Sequence, residues 1–205
     1  MNRVVLTTAY LAPVEYYVQL NIFPKVIIEK CDNYIKQTYR NRCIIASANG
    51  LQTLSIPIEK PDSLKCLTRD IRIAEHGNWQ HLHWNAIVSA YNSTPFFEYY
   101  ADDFLPFYEK KYNYLFDFNE ELRSLISSLL DISPEIEYSK EYIIGFESDE
   151  LDLREKIHPK KKSYLSSFKP YYQVFENRYG FQPNLSIIDL LFNMGPEAVL
   201  YLETV

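Results

Sequence analysis

The chain has 205 residues, 47% of them hydrophobic and 16% aromatic, with 18 tyrosines and a net charge of −6 at pH 7. That length fits one domain, 1–205, with a substantial core. The acidic balance argues against nucleic acid as a partner, because phosphate neutralisation needs a cationic face. Cys31, Cys43 and Cys66 are odd in number and irregularly spaced, which argues against a disulfide framework and for a reducing compartment. The opening VVLTTAYLA is too short and polar for a signal peptide, and no run approaches the ~20 apolar residues of a membrane span. A cytoplasmic location is expected.

Val4 to Leu6 is an apolar, β-branched run that fits a buried strand. Pro13 suits the first turn of a helix carrying Val14, Tyr17, Val18 and Ile22 inward, and Pro24 closes it. Val26-Ile27-Ile28 then reads as a second strand, and strand–helix–strand over so short a span implies a parallel pair. Arg42 to Ala48 and Leu51 to Ile58 flank Asn49-Gly50, a dipeptide that tolerates the positive φ of a hairpin turn. Pro57 marks an edge strand or a strand end. Leu67, Arg69, Ile71 and Ile73 alternate with Thr68, Asp70 and Arg72, which predicts a half-exposed strand.

Gly77 to Tyr91 is the clearest helix in the chain. Asn78 is its expected N-cap. Trp79, Leu82, His83, Ala86, Ile87, Ala90 and Tyr91 form one apolar face, while at ~100° per residue His81, Trp84 and Val88 fall opposite. Such a helix is covered on both sides, or lines a cleft with one of them. Phe97, Tyr100, Phe104, Phe107, Tyr108 and Tyr112 continue as an aromatic stripe broken or kinked at Pro106. Asp117 and Glu120 resemble a capping box, Ile136 to Ile144 reads as a strand, and residues 147–162 form a charged stretch that is the best candidate for a mobile segment. Ser186 to Asp189 repeats the capping-box pattern, Gly195-Pro196 stops that helix, and a short helix follows from Glu197.

The fold expected is α/β: an N-terminal βαβ parallel core with an antiparallel hairpin at its edge, covered by helices in the C-terminal half. The five glycines lie too far apart for a G-x-G-x-x-G turn or a P-loop, and no G-x-S-x-G elbow occurs. No cofactor is expected. His81 and His83 point ~200° apart on a helix, and no C-x-x-C or H-E-x-x-H accompanies them, so no metal is expected either. His83, on the apolar stripe, reads as a hydrogen-bonded core histidine. His81, beside Trp84, is the better acid–base group. Lys36, Tyr39, Arg40 and Arg42 cluster before the hairpin, where guanidinium forks can grip a phosphate or carboxylate, although a solvated edge paired with Glu29 and Asp32 explains them equally well.

The run Phe181 to Ala198 (FQPNLSIIDLLFNMGPEA) resembles the closing signature of the WbqC-like family. Tyr39-Arg40-Asn41-Arg42, Leu54-Ser55-Ile56-Pro57-Ile58, and Trp79 through Tyr91 leading to Pro95-Phe96-Phe97 extend the resemblance over most of the chain in the family's order. Two departures stand out: the family's opening His-Gln-Pro segment is replaced by Thr7-Thr8-Ala9, and a longer segment before the closing signature is shortened to 147–162. Members are commonly encoded among genes for surface-polysaccharide biosynthesis. The resemblance therefore implies an enzyme acting on a sugar or nucleotide sugar, with an anionic small molecule (a sugar phosphate or nucleotide sugar) as partner. Lys36, Tyr39, Arg40 and Arg42 would hold that substrate with Tyr10, Asn41 and Asn184, and His81 or Glu15 would move a proton. The alternative is a non-catalytic binding or scaffold protein of the same pathway, dimerising through the Trp84–Val88 face.

Overall fold

Val4, Val5 and Leu6 carry no polar face, so this stretch is stable only as a strand covered on both sides. It forms β1 (Arg3–Thr7) at the heart of the computed structural model, which describes residues 2–61, 63, 65–146 and 149–205. The chain leaves through α1 (Val14–Ile22) and returns as β2 (Lys25–Glu29), paired parallel to β1 from Arg3↔Lys25 to Thr7↔Glu29. Val14 to Leu20 are all buried, because α1 lies between the sheet and the C-terminal helices; Ile22, expected inside, is exposed.

β3 (Arg42–Ser47) and β4 (Gly50–Ser55) form a two-stranded antiparallel sheet of their own. Ser47 pairs with Gly50, so the turn residues are Ala48 and Asn49, one position earlier than the dipeptide predicts. The positive φ falls on Gly50 alone, at 101°, where a missing Cβ removes the steric cost.

The alternating stretch 67–73 is not a strand. Residues Thr68–Asp70 form a 3-10 turn, since the Thr68 amide donates to the Asp32 carbonyl (2.9 Å) and the Arg69 amide to that of Lys30 (3.2 Å). With those donors engaged by the loop after β2, no ladder forms, and only isolated bridges at Leu67, Arg72 and Ile73 remain.

α2 (Trp79–Tyr91) follows a 3-10 turn at His76–Asn78. Asn78 does not cap it: its backbone is left-handed (φ 47°) and its side chain makes no capping bond. Two sides of α2 are covered, and a third, carrying His81, Leu82 and Asn85, is exposed, so Leu82 is not buried as its place on the apolar stripe predicts. Trp79, His83, Ile87, Ala90 and Tyr91 are buried, and Trp84 packs on Phe97 and Tyr108 of α3 (Phe97–Glu109), with ring centroids 6.1 and 5.6 Å away. α4 (Leu115–Leu129) begins before Asp117, so the predicted capping box is absent. Glu120 instead turns inward and accepts from the Thr8 hydroxyl (2.8 Å) and Arg123 Nε (2.8 Å).

β5 (Glu135–Tyr138) lies outside β2 and is shorter than the predicted 136–144, because the Ile143 amide is drawn off to the Glu29 carboxylate. The charged stretch 147–162 supplies β6 (Glu150–Asp152), paired parallel to the free side of β1; Glu147 and Ser148 lie outside the described residues. The four-stranded sheet is thus wholly parallel, in the order β5-β2-β1-β6.

A one-turn α5 (Glu176–Tyr179) precedes α6 (Ile187–Met194) and α7 (Ala198–Leu202). Ser186 does not cap α6; its hydroxyl donates to the Leu11 carbonyl (2.8 Å), stitching this segment to the loop after β1. Asp189 is buried as the acceptor of Tyr91 and Tyr171 hydroxyls (3.1 and 2.6 Å) and Gln173 Nε2 (2.8 Å); burial raises its carboxyl pKa despite these donors. Among the described residues, no helix is long and apolar enough to cross a membrane.

Candidate functional site

β2 and β6 lie on opposite sides of β1, so the segments leaving their carboxyl ends diverge and a crevice opens between them. It is a cleft of about 590 Å³. Cys31, Asp32 and Asn33 line it from beyond β2, Asp152, Arg154 and Glu155 from the end of β6, and Ile35, Leu67 and Tyr142 complete the wall.

Two buried guanidiniums organise the floor. Arg154 forks onto Asp152, Nε to Oδ1 at 3.0 Å and Nη2 to Oδ2 at 2.9 Å, and its Nη1 reaches the fully buried Glu29 at 3.1 Å. Burial would raise the Asp152 pKa, but the Arg154 side chain and amide outweigh it and hold the carboxyl below its ordinary value. Glu29 is saturated, since the Cys31 and Ile143 amides and the Ser139 hydroxyl also donate to it. The guanidinium of Arg154 lies under the rings of Tyr142 (4.8 Å) and Phe146 (5.1 Å).

Arg40, only 1% exposed, donates through Nη2 to Asp32 Oδ2 at 2.5 Å and to Glu155 Oε1 at 3.2 Å. Asp32 Oδ1 and Arg40 Nε are buried without a hydrogen-bond partner among the described residues. Around the rim, Arg69 Nη1 stands 3.5 Å from Cys31 Sγ, and Lys161 Nζ donates to the Glu155 carbonyl at 2.5 Å. His158 accepts from the Lys160 amide through Nδ1 (3.0 Å), which assigns the proton of its neutral form to Nε2. Burial, and then the charges of Lys161, Lys160 and Arg40 against that of Glu155, lower its pKa.

Of the residues expected to form the site, Arg40 lies directly behind this cleft and exposed Lys36 follows Ile35 of its wall. The others are elsewhere. His81 is exposed on the outer side of α2 and bonded to Asn85 one turn on, at 2.9 Å. Glu15 is buried and fully engaged: Oε1 accepts from Asn184 Nδ2 (2.8 Å), Oε2 from the Ser163 hydroxyl (2.5 Å) and the Tyr164 amide (2.8 Å). The Glu15 amide donates in turn to Asn184 Oδ1 (3.0 Å), so the two act as one clasp. Asn41 Nδ2 bonds the Ile56 carbonyl, and half-buried Arg42 opens β3 with an unpartnered Nε. Tyr39 is buried, and burial and then Glu15 push its phenol pKa up. Tyr10 is in the core, its hydroxyl 3.0 Å from both His83 Nδ1 and the Tyr108 hydroxyl. His83 is the core histidine that its place on the apolar stripe predicts, with burial lowering its pKa to about 4.

Asp32, Asp152, Arg154, Glu155 and His158 were missed as site residues. One signal was present: Leu151 and Leu153 are buried and alternate with Asp152 and Arg154, the period of a strand within a charged stretch. Among the described residues no group of three His, Cys, Asp or Glu side chains is placed to hold a metal ion.

The comparison with solved structures gives no match. The chain is 27% identical over 231 residues to the uncharacterized protein Rv1507c of Mycobacterium tuberculosis (strain ATCC 25618 / H37Rv), an alignment covering 99% of this chain and 98% of that protein. The model of the WbqC-like protein family matches residues 8–169 and 158–201, nearly the whole length. The chain therefore belongs to the WbqC-like protein family.

Proposed function

We propose that the chain binds, and acts on, a sugar or nucleotide sugar of surface-polysaccharide assembly in the cleft beyond β2 and β6, in the cytoplasm. One observation carries this reading: a crevice at the carboxyl edge of the parallel sheet, with carboxylates on its floor and a half-exposed tyrosine on a largely apolar wall. Sugar hydroxyls are donors that suit Asp32, Asp152 and Glu155, and a sugar's C–H face suits the Tyr142 ring. Arg69, Lys161 and Lys36 supply the rim with charge for a phosphate. Arg40 holds Asp32 and Glu155 in place, and His158 is the titratable group at the rim.

A second reading, binding without turnover, has a specific observation in its favour. Asp152 and Glu29 are locked on Arg154, and Asp32 and Glu155 share Arg40, so each of these four carboxylates is already ion-paired.

Thermal unfolding with UDP-sugars and hexose 1-phosphates tests the site, since a ligand at 100 times its Kd stabilises by about 2.7 kcal/mol. Stabilisation is expected, and Tyr142→Ala should abolish it while leaving the unliganded Tm nearly unchanged. No stabilisation at millimolar ligand, or an undiminished response in Tyr142→Ala, ends the proposal. Product formation from the stabilising ligand separates turnover from binding alone.

A further inference from the structure

Three segments leave the carboxyl ends of β2, β5 and β6: residues 33–38, 140–146 and 155–162. Each gives the cleft part of its wall, through Asn33 and Ile35, Tyr142, and Glu155. Their charge is unlike that of the rest of the chain. Together they hold six lysines, Lys36, Lys140, Lys156, Lys160, Lys161 and Lys162, against Glu141 and Glu155, in a chain whose net charge is −6. All six lysines are exposed. Lys160 Nζ donates to Gln37 Oε1, which brings the lysines of 155–162 beside Lys36. Such a concentration of one sign on one edge is the footprint of an anionic partner.

The same edge shows large apolar side chains to solvent. Tyr142 is half exposed, Ile35 and Phe146 are exposed, and Ile144, at 87%, is the barest large hydrophobic side chain among the described residues. Its backbone is held in place. The neighbouring Ile143 amide donates to the Glu29 carboxylate (3.0 Å), and the Ile143 carbonyl accepts from Arg154 (3.2 Å). Buried charges thus fix the chain beside an isoleucine left in water, at a cost that an apolar covering phase removes.

What covers this edge has to suit both features. Protein interfaces are depleted in lysine, and a protruding isoleucine offers no flat ring on which a base could stack. An anionic bilayer suits both, because apolar and aromatic side chains enter the headgroup boundary while lysines stay in the charged layer. We propose that this edge docks on an anionic lipid surface, with Ile144 and Phe146 inserted and the lysines against the headgroups, so that the cleft opens toward the membrane. The proposal goes beyond the sugar reading of the cleft and does not depend on it.

Cosedimentation of the intact chain with vesicles of phosphatidylcholine containing about one third phosphatidylglycerol, and with vesicles of phosphatidylcholine alone, tests it. Partition onto the anionic vesicles should be at least about tenfold stronger than onto the neutral ones, and should weaken as salt rises. Ile144→Asp should weaken it at least about tenfold, since an apolar insertion becomes a charge that the headgroups repel. Lys160→Glu combined with Lys162→Glu should weaken it by a similar factor. All three positions are exposed, so both variants should keep the unfolding midpoint of the parent chain, and either one carries the test without the other. Failure to sediment with the anionic vesicles, or equal partition onto both kinds, overturns the proposal. So does an unchanged partition in either variant. Tight binding of a single-stranded oligonucleotide that is lost in the lysine variant and kept in Ile144→Asp would give the lysines to nucleic acid and overturn it as well. Sugar binding, read separately by thermal unfolding, stands or falls apart from these outcomes.

Discussion

Arg40 and Asp32 are joined through a single oxygen, Nη2 to Oδ2 at 2.5 Å, and the same nitrogen reaches Glu155 on the other wall of the cleft. One buried guanidinium thus ties the loop after β2 to the segment after β6, two strands that share no hydrogen bond. Removing one member of a buried ion pair leaves the other charge uncompensated, which costs about 3–5 kcal/mol. Arg40→Ala should lower stability by that amount in urea unfolding. A loss under about 1 kcal/mol would mean that the walls of the cleft hold without it, as for an exposed pair.

Glu15 and Asn184 clasp the C-terminal segment to α1, and three donors converge on one buried carboxylate. Glu15→Ala should cost about 2–3 kcal/mol by orphaning them. It should also speed hydrogen exchange at the Tyr164 amide, which donates to that carboxylate. Unchanged exchange there would show that the segment is held by other contacts.

His83 makes stability depend on pH with a definite sign. Its folded pKa is about 4, below an ordinary 6.5, because burial penalises the charged ring. Above about pH 6.5 both states are neutral and its contribution is complete. Between about pH 6.5 and 4 the unfolded chain takes up a proton that the folded chain refuses, so stability falls as pH falls, by at most about 3 kcal/mol. His83→Gln should flatten that part of the profile of unfolding free energy against pH. An identical slope in the variant would assign the effect to other groups.

Gly195 ends α6 with φ at 55°, and a Cβ there would sit 2.5 Å from the Phe96 ring. The Phe96 amide is bonded to the Phe192 carbonyl (3.1 Å), so that ring cannot simply retreat. Gly195→Ala should cost about 2 kcal/mol or more, from the backbone conformation and the overlap together. Adding Phe96→Ala should relieve the part due to overlap, and a double mutant that shows no coupling would place the whole cost in the backbone.

His81 lies on the solvent side of α2, bonded to Asn85. His81→Ala should change stability by no more than about 0.5 kcal/mol. It should leave sugar-phosphate binding intact; loss of binding in a folded variant would move the site to that side of the helix.

What could be read from residues alone follows the range of the forces involved. Val4 to Leu6 and Val26 to Ile28 announce buried strands, and Trp79 to Tyr91 a helix, because burial of a periodic apolar face is decided within one element. The errors fall where backbone donors had a choice. Thr68 and Arg69 gave their amides to the loop after β2, Ile143 gave its amide to Glu29, and Ser186 sent its hydroxyl to Leu11, each to a partner distant in sequence or in another element. Asn78, Asp117 and Ser186 looked like caps for the same reason: the pattern tests only neighbours.

The sequence by itself determined the parallel βαβ start, the hairpin, the apolar helices and the family, since these rest on local periodicity and on strings of residues that survive as strings. Only the tertiary structure decided where the cleft is. It brings Asp32 and Arg154, which lie far apart along the chain, to one edge of the sheet by placing β6 beside β1. It also neutralises Arg40 with carboxylates from both walls. Charge balance in a buried site is a sum over groups from distant segments, and no window of sequence contains that sum.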